Sequence, residues 1–542
     1  MTWRARALAA WWLAALALAL AAPPAAAHAT LLSTDPAEGE VLSETPDVVT
    51  FTFDEPVKLT DDSMQVFDAA GDPVDSSASS EDEIVTADLP DELAPGSYVV
   101  AWRVVSADGH PISGSLTFSI GAPSETVVPP QVDNEPSAGT KSDLGLAQGV
   151  GYAGLLVAAG LVVFRAWILG AVRPAAEALD RLRRVQWWAT GVAVGAAALV
   201  VPLAGAYQQG LGMKALVDGA AFDLDLVGDD VVVLALQAVG LFGALLLRDR
   251  RVPATAAAAL AVWSPAFVGH TRAFEPVPLL VVTDALHLSA GAVWLGGLVG
   301  LALALPALRG RRQDAVAVVA RFSTVAAGVL ALLVASGTVT GWRILGSWDA
   351  LFGTTYGRLL IVKVGIAALV VVIAAWNRWR LLPRVSGAVG HDEGVAATVL
   401  VRRTVVAEAT LLLAVIGVTG FLVNQPPREQ PEAAAPAQGR VEAATVGEFR
   451  VLATMTPAER GPNTVTVQIQ DQRAEPVDAY AAPEVSVASD QVDLGVVPVT
   501  PIGAGTYSAE VVVPAPGVWR VQVSLRASEF ENPVVTLSFD IG

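Results

Sequence analysis

The chain has 542 residues, of which 53% are hydrophobic and only 16% charged. An ordinary soluble domain carries about 25% charged residues, so a fully soluble enzyme is disfavoured at the outset. Cysteine is absent, which excludes disulfide scaffolds, thiolate metal sites, iron–sulfur clusters and cysteine nucleophiles. A formal net charge of −19 argues against nucleic acid as a partner.

The charge is unevenly placed. Residues 28–143 hold 23 acidic and 3 basic side chains, residues 144–424 hold 15 and 22, and residues 425–542 hold 15 and 7. Two acidic regions therefore flank a slightly basic, very apolar middle. Residues 1–27 read as a secretory signal peptide: Arg4 and Arg6 start it, Leu13 to Ala22 lie in its apolar stretch, and Ala25-Ala26-Ala27 is the small-residue cleavage site. An uncleaved membrane anchor is the alternative. Cleavage after Ala27 would make His28 the mature amino terminus.

Residues 28–121 predict a small all-β domain. VVTFTF (Val48 to Phe53), SYVVAWRVV and SGSLTFSI alternate as strands do, with Gly71-Asp72-Pro73 and Ala94-Pro95-Gly96 as turns. A terminal His28 offers two nitrogens, its α-amine and its imidazole, which together can chelate one ion. Nitrogen and oxygen donors in a tetragonal arrangement favour Cu(II). Asp108-Gly109-His110 adds a carboxylate and a second ring at i and i+2, which extended chain directs to the same side. A solvated surface turn is the plainer alternative for that tripeptide.

Residues 122–143, rich in Pro, Ser, Glu and Asp, predict a linker. Eight apolar runs follow, each long enough to cross a bilayer: 144–169, 185–207, 229–247, 254–271, 278–305, 316–341, 357–380 and 402–423. One set of connections carries Arg173, Arg181, Arg183 and Arg184, then Arg248, Arg250 and Arg251, then Arg309, Arg311 and Arg312, and finally Arg378, Arg380, Arg384, Arg402 and Arg403. That basic set is expected in the cytoplasm. An even number of spans then leaves both terminal domains outside, as a signal peptide requires. His391 falls in an inner loop and is expected to be solvated.

Asp284 and His287 stand three apart on the fifth span and so share a helix face. His270 ends the fourth span, and Lys363 enters the seventh from the same side. Ionisable residues inside a span usually face a partner or a pathway. His270, Asp284 and His287 are thus a candidate metal site in an outward-opening cavity; an Asp–Lys ion pair with a capping histidine is the alternative. A continuous sulfur relay for Cu(I) is excluded, because Met213 is the only sulfur residue in 144–424. The sequence shows neither a Walker A motif nor a DKTG-type phosphorylation motif, which argues against ATP-driven pumping. Residues 425–446 predict a second linker. Residues 447–542, with TVTVQIQ, TYSAEVVV, VWRVQVSL and VVTLSFDI, predict a β-sandwich.

Taken together, His28-Ala29-Thr30-Leu31, Pro36, Phe53-Asp54-Glu55-Pro56 and Trp102 to Pro111 resemble the CopC copper-binding domain. The resemblance implies a Greek-key β-sandwich that binds Cu(II) through His28, Asp108 and His110, with Glu55 behind the amino-terminal nitrogen. Met64 alone does not make the methionine-rich Cu(I) site of some members. Residues 144–424 resemble CopD, the membrane partner fused to CopC in some bacteria. The matching stretches are Asp284-Ala-Leu-His287 with Trp294-Leu-Gly-Gly297, Arg321-Phe-Ser323, Thr355-Tyr-Gly-Arg358 with Lys363, and Arg402-Arg403 with Glu408. The C-terminal region resembles a YtkA-like sandwich.

The expected whole is a multidomain, multi-pass cell-membrane protein of about eight helices, with both terminal domains extracytoplasmic. It is expected to handle copper rather than to be an enzyme, with the copper ion, the lipid bilayer and copper chaperones as partners and no nucleic acid. Three functions compete: copper uptake, copper tolerance by sequestration outside the membrane, and a membrane redox protein holding haem between His270 and His287. A mononuclear copper oxygenase ranks behind all three.

Overall fold

The computed structural model describes residues 29–107, 109–124, 127–128, 138–170, 172, 175–268, 274, 276–308, 311–381, 383, 391–427, 440–446, 449–471, 476–477, 479–489, 492–503, 505–526 and 532–541. The chain divides into two compact units. Among described residues, one holds the helical region to Pro427 and takes in Ala107, Gly109 and His110; the other holds the β-structure before and after it.

Among the described residues nine strands form the first β-domain: β1 (Leu31–Asp35), β2 (Val41–Leu42), β3 (Val48–Phe53), β4 (Lys58–Asp68), β5 (Pro73–Val74), β6 (Ser77–Glu81), β7 (Ile84–Asp88), β8 (Gly96–Val105) and β9 (Pro111–Ile120). They make two sheets, ordered β1-β3-β7-β6 and β2-β9-β8-β4-β5. The chain changes sheet between β1 and β2, β2 and β3, β3 and β4, β5 and β6, and β7 and β8, the repeated crossing of a Greek-key sandwich. Alternation explains why these segments are strands: Val49, Phe51 and Phe53 of β3 are buried while Thr50 and Thr52 are only partly covered. Those side chains meet Val66, Val100, Trp102, Val104 and Phe118 from the other sheet in one core.

The second β-domain is also two sheets, with nine strands among the described residues: β10 (Arg440–Val446), β11 (Phe449–Thr456), β12 (Gly461–Gln470), β13 (Ala481–Ser489), β14 (Asp493–Val497), β15 (Thr500–Gly503), β16 (Thr506–Val513), β17 (Gly517–Arg526) and β18 (Val534–Ile541). Their orders are β10-β11-β12-β16-β15 and β14-β13-β17-β18. Trp519, Phe539, Val467 and Ile469 are among the side chains that close its core. β10 pairs with β11 along its full length, from Arg440 with Met455 to Val446 with Phe449. Strand structure therefore starts inside the stretch expected to be linker.

The helical region contains α1 (Ala138–Val163, continued by a π-turn Phe164–Ile168), α2 (Ala176–Gln208), α3 (Leu224–Leu246), α4 (Arg251–Trp263), α5 (Val277–Ala304), α6 (Arg312–Leu345), α7 (Thr355–Trp376, with a π-turn Asn377–Leu381) and α8 (His391–Leu422). α1 begins at Ala138, ahead of the expected span and within the predicted linker. His391 opens α8 instead of lying in a loop.

Among the described residues seven helices, not eight, are long and apolar enough to cross a membrane. The exception is the fourth. α4 has 13 residues and ends in a 3-10 turn, Ser264–Phe267, where Pro265 lacks the N–H that a continuing α-helix needs. The segment still traverses the bundle. Trp263 Nε1 donates to Ser289 Oγ of α5 at 2.9 Å, twelve residues into that helix. Eleven residues after Trp263, Phe274 is buried beside Leu280, Ile344, Leu345, Tyr356 and Leu422, at the ends of α5, α6, α7 and α8 away from the arginine-rich connections. α4 and its 3-10 turn therefore cover only part of this crossing. The start of α1 and the end of α8 lie together, since Asn424 Nδ2 donates to Gln148 Oε1, so the helical region begins and finishes on one side.

Candidate metal centre

His110 closes the connection between β8 and β9, whose pairing runs from Gly96 with Ile120 to Val105 with Pro111. Gly109 adopts a φ of +86°, a left-handed conformation that favours glycine and turns the chain there. Gly114 is required for a different reason: a Cβ there would lie 2.4 Å from Trp102 Cζ2, so the indole of Trp102 packs across bare backbone. His110 itself is buried, with 6% of its surface exposed. Thr30 and Asp54 are tied reciprocally, Thr30 N to Asp54 Oδ1 at 2.6 Å and Asp54 N to Thr30 O at 3.1 Å. That pins the first described residues of the domain beside the turn carrying the half-buried Glu55. His28, Asp108 and His270 lie outside the described residues. Among the described residues no three His, Asp or Glu side chains come together as a group able to hold a metal ion.

The structure does bring Asp284 and His287 to one face of α5, opposite α6 and α7. They lie seven and ten residues after Val277, about 10 and 15 Å along the helix at 1.5 Å per residue. His287 Nδ1 is 3.1 Å from Ser336 Oγ on α6. Ser336 donates its one hydroxyl proton to the Leu332 carbonyl at 2.7 Å. With that proton committed, Nδ1 of His287 is the donor and Nε2 keeps the lone pair. A histidine oriented through one nitrogen presents the other as a base or a ligand. One turn along, Thr283 Oγ1 and Thr340 Oγ1 are 3.2 Å apart. Lys363 and Tyr356 of α7 and Tyr152 of α1 lie within electrostatic reach of Asp284. The sequence points to Lys363, and to Tyr356 within the 355–358 stretch, but not to Ser336 or Tyr152, because only the fold sets those helices against α5. Outward of this group, among the described residues, Leu280, Phe274 and Tyr356 join one apolar cluster between the helix ends.

Much of the remaining CopD-like pattern does packing work. A Cβ on Gly160 of α1 would sit 1.9 Å from the Ala292 carbonyl oxygen, and one on Gly297 would sit 2.2 Å from the Phe322 ring. Small residues let helix backbones touch where lipid offers no hydrophobic driving force. Arg321 Nη1 donates to the Leu169 carbonyl at 2.8 Å and caps the end of α1. Ser323 accepts from Arg378 Nη1 at 2.7 Å, and buried Glu408 accepts from Asn377 Nδ2. Gly160→Ala is therefore expected to destabilise the helical region by about 1–3 kcal/mol through overpacking. A lowered melting temperature of the detergent-solubilised protein checks this, and an unchanged one contradicts it.

Comparisons with known proteins fit these two parts. The CopC domain model matches residues 31–121 and the copper resistance protein D model matches residues 316–422. Copper transport protein CutJ of Bacillus subtilis is 27% identical over 495 residues, covering 86% of each chain. Protein YobA of Escherichia coli is 32% identical over 112 residues, 20% of this chain and 90% of that one. Copper resistance protein D of Pseudomonas syringae pv. tomato is 31% identical over 144 residues, 26% of this chain and 46% of its own. With its apolar helices this is a multi-pass membrane protein. The chain belongs to the CopC–CopD copper resistance family, with the CopC domain ahead of the CopD region in a single polypeptide.

Proposed function

We propose that this protein captures Cu(II) outside the membrane and passes copper into the bundle for uptake. The observation that carries the reading is the polar lane on α5: Asp284 and an oriented His287 facing Ser336 and Lys363, in a chain that begins with a CopC domain. In the outer domain the ligands would be the α-amine and imidazole of His28, the Asp108 carboxylate and the His110 ring, with Glu55 next to the amine. These are nitrogen and oxygen donors suited to Cu(II). In the membrane, Nε2 of His287 and the Asp284 carboxylate would meet the ion next, with His270 on the outward side. The terminal domains are assigned to the extracytoplasmic side, copper chaperones are candidate donors or acceptors, and no chemical transformation of a substrate is assigned.

Deleting the gene tests uptake against tolerance. Cell-associated copper is expected to fall several-fold under limiting copper. Unchanged or increased copper content in the deletion strain would favour sequestration at the surface and overturn uptake.

A further inference from the structure

A second feature lies at the opposite, basic end of the helical region. A cavity of about 260 Å³ opens between the ends of α1, α2, α3 and α4, lined in part by Arg165, Gln186, Arg248, Asp249 and Arg251. Arg165 sits on the π-turn Phe164–Ile168, and such a turn re-aims side chains relative to the regular helix around it. Its Nη1 donates to Oε1 of Gln186 at 3.1 Å, and Gln186 is almost wholly buried, 2% exposed. Arg248 Nε approaches Asp249 Oδ2 only loosely, at 3.9 Å. Three guanidinium groups thus share one small space with one carboxylate.

Crowded like charges at a membrane edge repel, and an anion between them removes the repulsion. The planar fork of arginine matches the oxygens of a phosphate group two at a time. The level of the cavity points to the source of that phosphate. Trp167, Trp187 and Trp188 are 51%, 53% and 77% exposed around it, and Trp187 directly follows Gln186. Exposed tryptophans gather at the headgroup level of a bilayer, where basic pockets between helices meet lipid phosphates.

We propose that this cavity binds the phosphate of an anionic phospholipid headgroup. The proposal concerns the helical region alone and stands whether or not copper passes through it. The test uses the full chain in detergent, titrated with phosphatidylglycerol, phosphatidylcholine or inorganic phosphate, with native mass spectrometry reading bound lipid and a melting curve reading stabilisation. Phosphatidylglycerol is expected to be retained and to raise the melting temperature, with neither effect from phosphatidylcholine or inorganic phosphate. Arg165→Gln with Arg248→Gln should weaken retention by roughly tenfold or more, whereas Arg311→Gln should leave it unchanged, because Arg311 pairs with Asp314 at 2.5 Å away from the cavity. Should the double variant not fold, Arg251→Gln alone, at an exposed position, is expected to weaken retention in the same direction. Stabilisation by inorganic phosphate equal to that by phosphatidylglycerol would overturn the lipid assignment in favour of a soluble phosphate. Equal retention by the arginine variants and the parent would overturn the site itself.

Discussion

One alanine inserted ahead of His28 is expected to weaken Cu(II) binding by about 100-fold or more, a loss of about 2.8 kcal/mol or more. The insertion leaves every side chain of the outer domain in place, yet it moves the α-amine away from the imidazole it would chelate with. Amine and ring on one residue close a chelate that no internal histidine can form. His28→Ala should do less harm than the insertion, because the amine survives it. Competition titration and EPR on the purified full chain read both variants, with four-line hyperfine structure from nitrogen-rich Cu(II) expected for the parent protein. If the extended protein binds Cu(II) as tightly as the parent and with the same spectrum, the proposed chelate is wrong.

His287→Ala is expected to lower copper accumulation in cells several-fold, close to the effect of deleting the gene, as expected when a metal ligand or its support is lost. Cu(II) binding by the outer domain should be unaffected, so a split between capture and accumulation is the diagnostic result. Ser336→Ala is the companion test. It removes the acceptor that holds Nδ1, so the ring loses its fixed orientation but keeps both nitrogens, and a smaller loss than with His287→Ala is expected. Wild-type accumulation in the His287→Ala strain, with the protein present at normal levels, would remove this histidine from the path.

Much of the architecture was legible because two periodicities dominate the chain. VVTFTF alternates and became β3 with its hydrophobic set buried. The long apolar runs became helices, but their limits were misjudged in a consistent way. α2 begins at Ala176, nine residues before the expected span, and its first turns hold Glu177, Asp180, Arg181, Arg183 and Arg184. Hydropathy reports the part of a helix that lipid would cover, whereas backbone hydrogen bonding continues into water. The fourth span was overestimated for the opposite reason, since its apolar composition continues past Pro265 while its helical ladder does not. Within the membrane, Asp284 and His287 could be found from their spacing of three. Ser336 could not, because it lies 49 residues further along the chain. Serine is common in helices, and only the packing of α5 on α6 sets this one apart.

The interrupted fourth crossing has an electrical consequence. An α-helix carries about half a negative elementary charge at its carboxyl end, and a helix that runs the full thickness of a bilayer delivers that pole to water. α4 stops partway, level with Ser289 on α5, only two positions from His287. Its negative pole therefore terminates inside the low-dielectric layer, where fields are little screened. The break lowers the local potential for any positive charge that reaches the middle of the bundle and disfavours anions there, a preference supplied by backbone alone and kept under substitutions that leave the interruption at Pro265 in place.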